Sequence, residues 1–199
     1  MKLRNWVLLA ILAGFGACTY EFLSGLHTEV YHGRVVDEQT GLPLADAVVT
    51  VIWHRSSYLG LEAGPAEFLN AQEAVTDSNG QFSLRASSGL DWNPFTLRGL
   101  VPWVVVYQPG YEPLMQDTRR RQGFETNEEF VRAFKYGVTV KLRKLRKEEI
   151  TRYVSREVVG SVDAPFERIP NLFRAINRHR LTSGLSPYTV ETPQKGNLQ

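Results

Sequence analysis

The chain has 199 residues, 43% of them hydrophobic and 22% charged, with a formal net charge of +2. That length holds one folded domain with accessories, and that apolar fraction supports a packed core. A charge so close to neutral excludes the strongly basic body expected of a nucleic-acid binder.

Lys2 and Arg4 precede a short apolar run from Trp6 to Phe15, and the small residues Gly14, Gly16 and Ala17 stand ahead of Cys18. A positive start, a short apolar middle and a small-residue end are the pattern of a secretory signal peptide, expected over residues 1–17. The run falls short of the roughly 20 apolar residues of a transmembrane helix. Cys18 is the only cysteine, so no disulfide closes within the chain, although export implies an oxidising compartment.

Residues 15–18, Phe-Gly-Ala-Cys, resemble a bacterial lipobox. Gly16 and Ala17 follow that pattern, and Phe15 stands where leucine is usual. The resemblance implies cleavage before Cys18 and lipidation of its thiol with palmitate-type acyl chains. Thr19 occupies the place where aspartate signals inner-membrane retention in such lipoproteins, so the expected address is the outer membrane, facing the periplasm.

Residues 18–30 read as a tether. Residues 31–37 read as a first strand and residues 38–44 as a turn, where Gly41 is free to take positive φ and Pro43 restricts the chain. Residues 47–53 are rich in β-branched side chains with apolar residues on both faces, as a central strand requires. Residues 55–70 read as a long irregular loop. Residues 75–84 alternate apolar and polar around Asn79-Gly80, the signature of a hairpin with a primed turn.

Residues 87–94 form another expected loop, carrying Trp92. A strongly apolar strand follows within residues 97–108, with Pro102 placed at its start, because proline cannot donate to an interior ladder. Residues 112–136 read as an insertion. Within it, Thr126 and Glu129 match a capping box that opens a short helix through Phe130, Val131 and Phe134. Residues 137–143 alternate cleanly as the last strand.

Three pieces recur in a characteristic order: Gly33 to Val49, Thr76 to Phe82, and Pro109-Gly110-Tyr111. Together they resemble the carboxypeptidase regulatory-like domain, a transthyretin-like β-sandwich, over residues 31–143. The resemblance implies a mainly β, transthyretin-like or Ig-like antiparallel sandwich and a non-catalytic module. Residues 144–184 are expected as a C-terminal helical extension. Leu145, Ile150, Tyr153, Val154 and Val158 are at helical spacing, and Gly160 is placed to end that helix. Pro170 suits the first turn of a second helix through Leu172, Phe173 and Ile176. These short helices are marginal alone, so their apolar stripes are expected to pack on the sheets with Arg174 and Arg178 exposed. Residues 185–199 read as a flexible tail.

Charge is uneven: residues 19–140 carry 9 basic and 15 acidic side chains, and residues 141–199 carry 12 and 6. This asymmetry fits either attraction between the two parts or a basic surface facing anionic lipid or polysaccharide.

Little catalytic chemistry is legible. His27, His32, His54 and His179 lack zinc-ligand spacing, although His32 and His54 lie on expected strands that could meet. Asp77-Ser78-Asn79-Gly80 starts like a calcium loop, but the later acidic ligand of an EF-hand is missing. No nucleophile elbow or Gly-rich phosphate loop occurs. The Tyr-Arg-Gly-Ser ending of transthyretin-like hydroxyisourate hydrolases and the Tyr/His pattern of intradiol dioxygenases are both missing. Trp53 and Trp103 read as core, whereas Trp92 and Tyr58 lie on loops as candidate contacts for sugar.

The expectation is thus a lipid-anchored, non-catalytic envelope protein without cofactor or metal. It would be held to the membrane through Cys18, with the sandwich serving as a structural module or binding an envelope protein. A carbohydrate-binding module is the alternative, and a hydrolase on the same kind of fold comes third. No ligand-binding residue is assigned.

Overall fold

A computed structural model describes residues 29–55, 67–86, 102–153 and 164–189. The signal peptide, Cys18, Tyr58, Trp92, the expected helix end at Gly160 and the last ten residues all lie outside this set. The fold is mainly β, with six strands and three α-helices among the described residues. In chain order these are β1 (Glu29–Asp37), β2 (Val48–Arg55), β3 (Glu67–Val75), β4 (Gln81–Ala86), β5 (Trp103–Tyr107), α1 (Asn127–Tyr136), β6 (Val138–Leu142), α2 (Lys147–Arg152) and α3 (Pro170–Thr182).

The strands form two three-stranded sheets, the first ordered β4-β1-β6 and the second β3-β2-β5. Alternation along each strand decides what goes between them. Tyr31 and Val35 from β1, Phe82 and Leu84 from β4, and Val140 and Leu142 from β6 meet Val49, Val51 and Trp53 from β2 and Val104 and Val106 from β5 in one apolar cluster. Phe130, Val131 and Phe134 of α1 enter the same cluster. Phe134 stands 5.9 Å from Phe82 between ring centres. The expected capping box is present: Thr126 Oγ1 accepts from the Glu129 N–H at 3.1 Å, and the Glu129 carboxylate accepts from the Thr126 N–H.

Several expectations need correction. Residues 67–70 belong to β3 rather than to a loop, because they continue the ladder with β2 through a bulge opposite Trp53 and His54. Residues 75–84 are not a hairpin. β3 pairs with β2 and β4 pairs with β1, so the Asn79-Gly80 turn carries the chain from one sheet to the other. Nor is the turn a primed one: among the described non-glycine residues only Asp46 has positive φ, so Asn79 does not. The sheets are also not wholly antiparallel, since β6 runs parallel to β1 from Gly33↔Val138 to Asp37↔Leu142. The two strands are far apart in the chain, and the segment holding α1 carries the chain from β5 of the second sheet to β6 of the first.

That segment also closes one open side between the sheets. Leu114 exchanges two backbone bonds with Val106 of the edge strand β5, at 2.9 and 3.0 Å. The Glu112 N–H then donates to the Arg143 carbonyl at 2.8 Å. The Gln122 side chain mimics a strand, donating to the Lys141 carbonyl at 2.7 Å and accepting from the Lys141 N–H at 3.2 Å. Two edge strands that would otherwise offer free backbone groups are covered in this way.

The outer face of the second sheet is apolar, as the two-faced composition of β2 requires. Val48, Ile52, Ala71, Val105 and Tyr107 are buried there beneath Ile169, Leu172, Ala175 and Ile176 of the α3 region. Arg174 and Arg178 are exposed on the opposite side of α3, as its spacing demands. Of the earlier expected helix, Lys147–Arg152 form α2, and its expected continuation through Val154 and Val158 lies outside the described residues. Residues 185–189 are tied down rather than loose. Tyr188 and the Asn177 side chain exchange two bonds at 2.7 and 3.0 Å, and the Arg180 guanidinium lies 3.9 Å from the Tyr188 ring centre.

Candidate functional site

The polar residues of the three motif pieces converge on the junction between the sheets. Thr76 is buried, and its hydroxyl donates to the Leu44 carbonyl at 2.7 Å while accepting from the Ala47 N–H at 2.8 Å. One carboxylate oxygen of Asp77 accepts from the Asn79 and Gln81 N–H groups at 2.9 and 2.8 Å, which shapes the turn. Gly80 has φ of 71°, and a Cβ there would stand 2.4 Å from the Val35 carbonyl oxygen. Only glycine combines that backbone conformation with so close an approach. In return the Gly80 carbonyl accepts from the Val35 N–H at 2.8 Å.

Asp37 joins the first motif piece to the last. Its Oδ1 accepts from the Gln39 and Thr40 N–H groups at 2.9 Å each, and its Oδ2 accepts from the Tyr111 hydroxyl at 3.0 Å. The Thr40 N–H bond, with the others, holds the Asp37 carboxyl below its ordinary range despite burial. Burial and the bond to Asp37 push the Tyr111 hydroxyl up. Most of these bonds hold backbone, and the Tyr111–Asp37 bond ties the last motif piece to the first.

A second polar cluster borders a cavity of about 280 Å³ lined by Glu38, Glu112, Thr118, Arg121, Lys141 and Arg143, among others. Glu112 is buried and fully engaged. Arg121 and the Tyr153 hydroxyl bond one carboxylate oxygen, and Arg143 Nε donates to the other at 2.7 Å. Arg143 reaches on to Glu149 at 3.0 Å. Both oxygens of this carboxylate are thus committed to neighbouring side chains. The arrangement anchors residues 112–121 to the end of β6 and to α2.

The third cluster holds α3. Ile169, ahead of the helix, has no capping side chain. Glu73 of β3 supplies the cap from across the sheet, its carboxylate accepting from the Asn171 and Leu172 N–H groups at 2.7 and 2.8 Å. An anion at a helix N-terminus is favoured by both the unpaired N–H groups and the macrodipole. Burial nevertheless raises the Glu73 carboxyl above its ordinary value, with the helix N–H bonds opposing the rise. At the other end His179 Nδ1 lies 2.7 Å from the Tyr107 hydroxyl, both residues being buried. Burial lowers the His179 imidazole and raises the Tyr107 phenol.

The residues singled out from the sequence are dispersed. His32 lies on the outer face of the first sheet and His54 on the outer face of the second, so they do not meet. His54 packs on Trp103 with ring centres 4.8 Å apart. Trp53 lies in the shared core, 6.4 Å from Tyr31 in an edge contact. Among the described residues no three His, Cys, Asp or Glu side chains are grouped to hold a metal ion. No described helix is long and apolar enough to cross a membrane. Glu73 and Glu112 escaped sequence reasoning, and His179, read with Arg174, Arg178 and Arg180 as a polar residue of its helix, is instead buried; in each case the partner is far away in the chain. Asn171, for instance, is 98 residues beyond Glu73, and no local spacing signals such a pairing.

No family model and no curated protein matches the chain. Among solved structures, the chain is similar to a 9R-lipoxygenase from Cyanothece PCC8801 at 19% identity. That match covers 44% of this chain and 12% of that one, with a TM-score of 0.25. It is also similar to an alternative pilotin from the type II secretion system of Vibrio cholerae at 18% identity. Here the match covers 60% of this chain and 99% of the other, with a TM-score of 0.29. At TM-scores this low neither likeness bears on the fold or the function.

Proposed function

We propose that the protein is a lipid-anchored, non-catalytic component of the bacterial cell envelope, carrying a transthyretin-like sandwich of the carboxypeptidase regulatory-like type. The observation that carries the module reading is the use of the motif residues. Asp37, Thr76, Gly80 and Tyr111 interlock to hold turns and the junction of the two sheets, so the motif serves the fold and leaves no reactive group over. The hydrogen bonding of Glu112 and the burial of His179 support the same reading, because neither offers a free base beside an open site.

The anchor is Cys18. Each methylene of an acyl chain buried in a bilayer contributes about 0.8 kcal/mol, so two or more chains hold a protein firmly. The experiment is expression of the full chain in a bacterial host with labelled palmitate, followed by membrane fractionation. The wild-type chain is expected to carry label and sediment with membranes. Cys18→Ser is expected to lose the label and appear soluble or uncleaved. Unchanged membrane association of correctly processed Cys18→Ser protein overturns the anchor.

A further inference from the structure

The two sheets present opposite outer faces. The second sheet's is apolar and lies beneath α3, whereas the first sheet's is polar and exposed. Apart from Val36, which is buried at the end of β1, its outward positions are Val30, His32 and Arg34 on β1, Gln81, Ser83 and Arg85 on β4, and Thr139 and Lys141 on β6, all exposed. None of these eight residues is acidic. The register fixes their arrangement. Arg85 is opposite Val30, Ser83 opposite His32, Gln81 and Thr139 flank Arg34, and Lys141 is opposite Val36.

Arg85, His32, Arg34 and Lys141 therefore run diagonally across the three strands. With about 3.3 Å per residue along a strand and about 4.8 Å between strands, consecutive members sit about 7–8 Å apart. Ser83, Gln81 and Thr139 place hydroxyl and amide groups beside the line. Among the described residues no carboxylate pairs with Arg34, Arg85 or Lys141. Arg34 is held in place by a bond from its Nε to the Asn79 carbonyl at 2.9 Å, which leaves its terminal nitrogens for a ligand. His32 rests against the backbone of Gly137, beside the exposed Tyr136.

From this geometry we infer that the outer face of the first sheet binds an extended acidic polysaccharide laid along the diagonal from Arg85 to Lys141. Three unpaired cations, Arg85, Arg34 and Lys141, with an imidazole between them match a chain carrying carboxylates or sulfates at intervals, and arginine forks suit such groups in two-point contact. The polar neighbours suit sugar hydroxyls. A membrane surface fits less well, because interfacial docking needs a broad apolar face. Val30, at 43% exposure, is the only exposed large aliphatic residue among these outward positions. A single nucleic-acid strand needs a row of large stacking platforms, and none of the eight outward residues is Phe, Tyr or Trp. The inference names a partner for the envelope module but does not depend on the Cys18 anchor, so either stands if the other fails.

The test uses the full chain in uncharged detergent, titrated with polygalacturonate, with neutral dextran as control, and pelleted with phosphatidylglycerol vesicles in a separate arm. Binding to polygalacturonate but not dextran is expected, weakening steeply as salt rises. Arg34→Gln with Arg85→Gln is expected to lower affinity at least tenfold. Arg85→Gln with Lys141→Gln leaves the Arg34–Asn79 bond intact and is expected to do the same if the first pair disturbs folding. Arg174→Gln with Arg178→Gln, on α3 over the other sheet, is expected to change nothing. The inference is overturned by absent binding, by binding lost only in the α3 variant, or by binding confined to the anionic vesicles.

Discussion

The outer faces of the two sheets differ in what their strands leave uncovered. β2 and β5 carry apolar side chains on both faces, and the second sheet is stable only with something over Val48, Ile52, Val105 and Tyr107. α3 is that cover, fastened by Glu73 at its start and Tyr107 near its end. β4 and most of β1 alternate, so the first sheet buries one face and, apart from Val36 at the end of β1, leaves the other to solvent and ligands. A strand's second face thus states whether a sheet is to be roofed or displayed.

The largest effect is expected beneath the roof. Leu172 is fully buried between α3 and the sheet. Leu172→Ala should cost roughly 2–5 kcal/mol, the range for a buried leucine whose cavity closes only partly. Urea unfolding of the variant checks this; a midpoint equal to wild type would mean that α3 does not complete the core. Next comes the link between the two sheets. Gly80→Val forces a β-branched residue to positive φ and drives its Cβ into the Val35 carbonyl. A cost of roughly 1–3 kcal/mol follows from the backbone strain alone. An unchanged melting temperature would contradict the close approach at this turn.

A smaller effect is expected in the pH dependence. Burial depresses His179 below the ordinary 6.5. Between the depressed value and 6.5 the unfolded chain therefore binds more protons, and stability rises with pH. The contribution is complete above 6.5 and is lost as pH falls through the folded value. His179→Gln should flatten urea midpoints between pH 7 and pH 5, and a slope identical to wild type would show that His179 is not buried as a neutral group. Glu73, with its raised carboxyl, acts in the opposite sense at lower pH: its contribution is present in acid and lost as pH rises through its folded value. The smallest effect belongs to the displayed face. Ser83→Val should change stability by less than about 0.5 kcal/mol, because the side chain touches only solvent and neighbours on the open face. A large loss by calorimetry would mean that this face is covered after all.

Local chemistry was legible wherever one short segment contains its own reason. The alternation of β1 and β6, the two-faced β2, the Thr126–Glu129 capping box, proline at the first turn of α3 and the exposure of Arg174 and Arg178 all follow from spacing and backbone preference. The turn at Asn79-Gly80 was legible too, although not its type. The pairing of strands was not legible. Alternation says that a face is buried without saying against what, so β3 and β4 read as each other's partners when each joins a different sheet. The parallel match of β6 with β1, the capping of α3 by Glu73, the engaged Glu112 and the diagonal of cations each join residues distant in the chain. Only closure of the shared core brings them together. The sequence by itself determined which residues must be buried, turned or capped, because those demands act within a few residues. The tertiary structure alone decided which strands are neighbours and which face is left open, because those depend on how all the apolar surfaces can be covered at once.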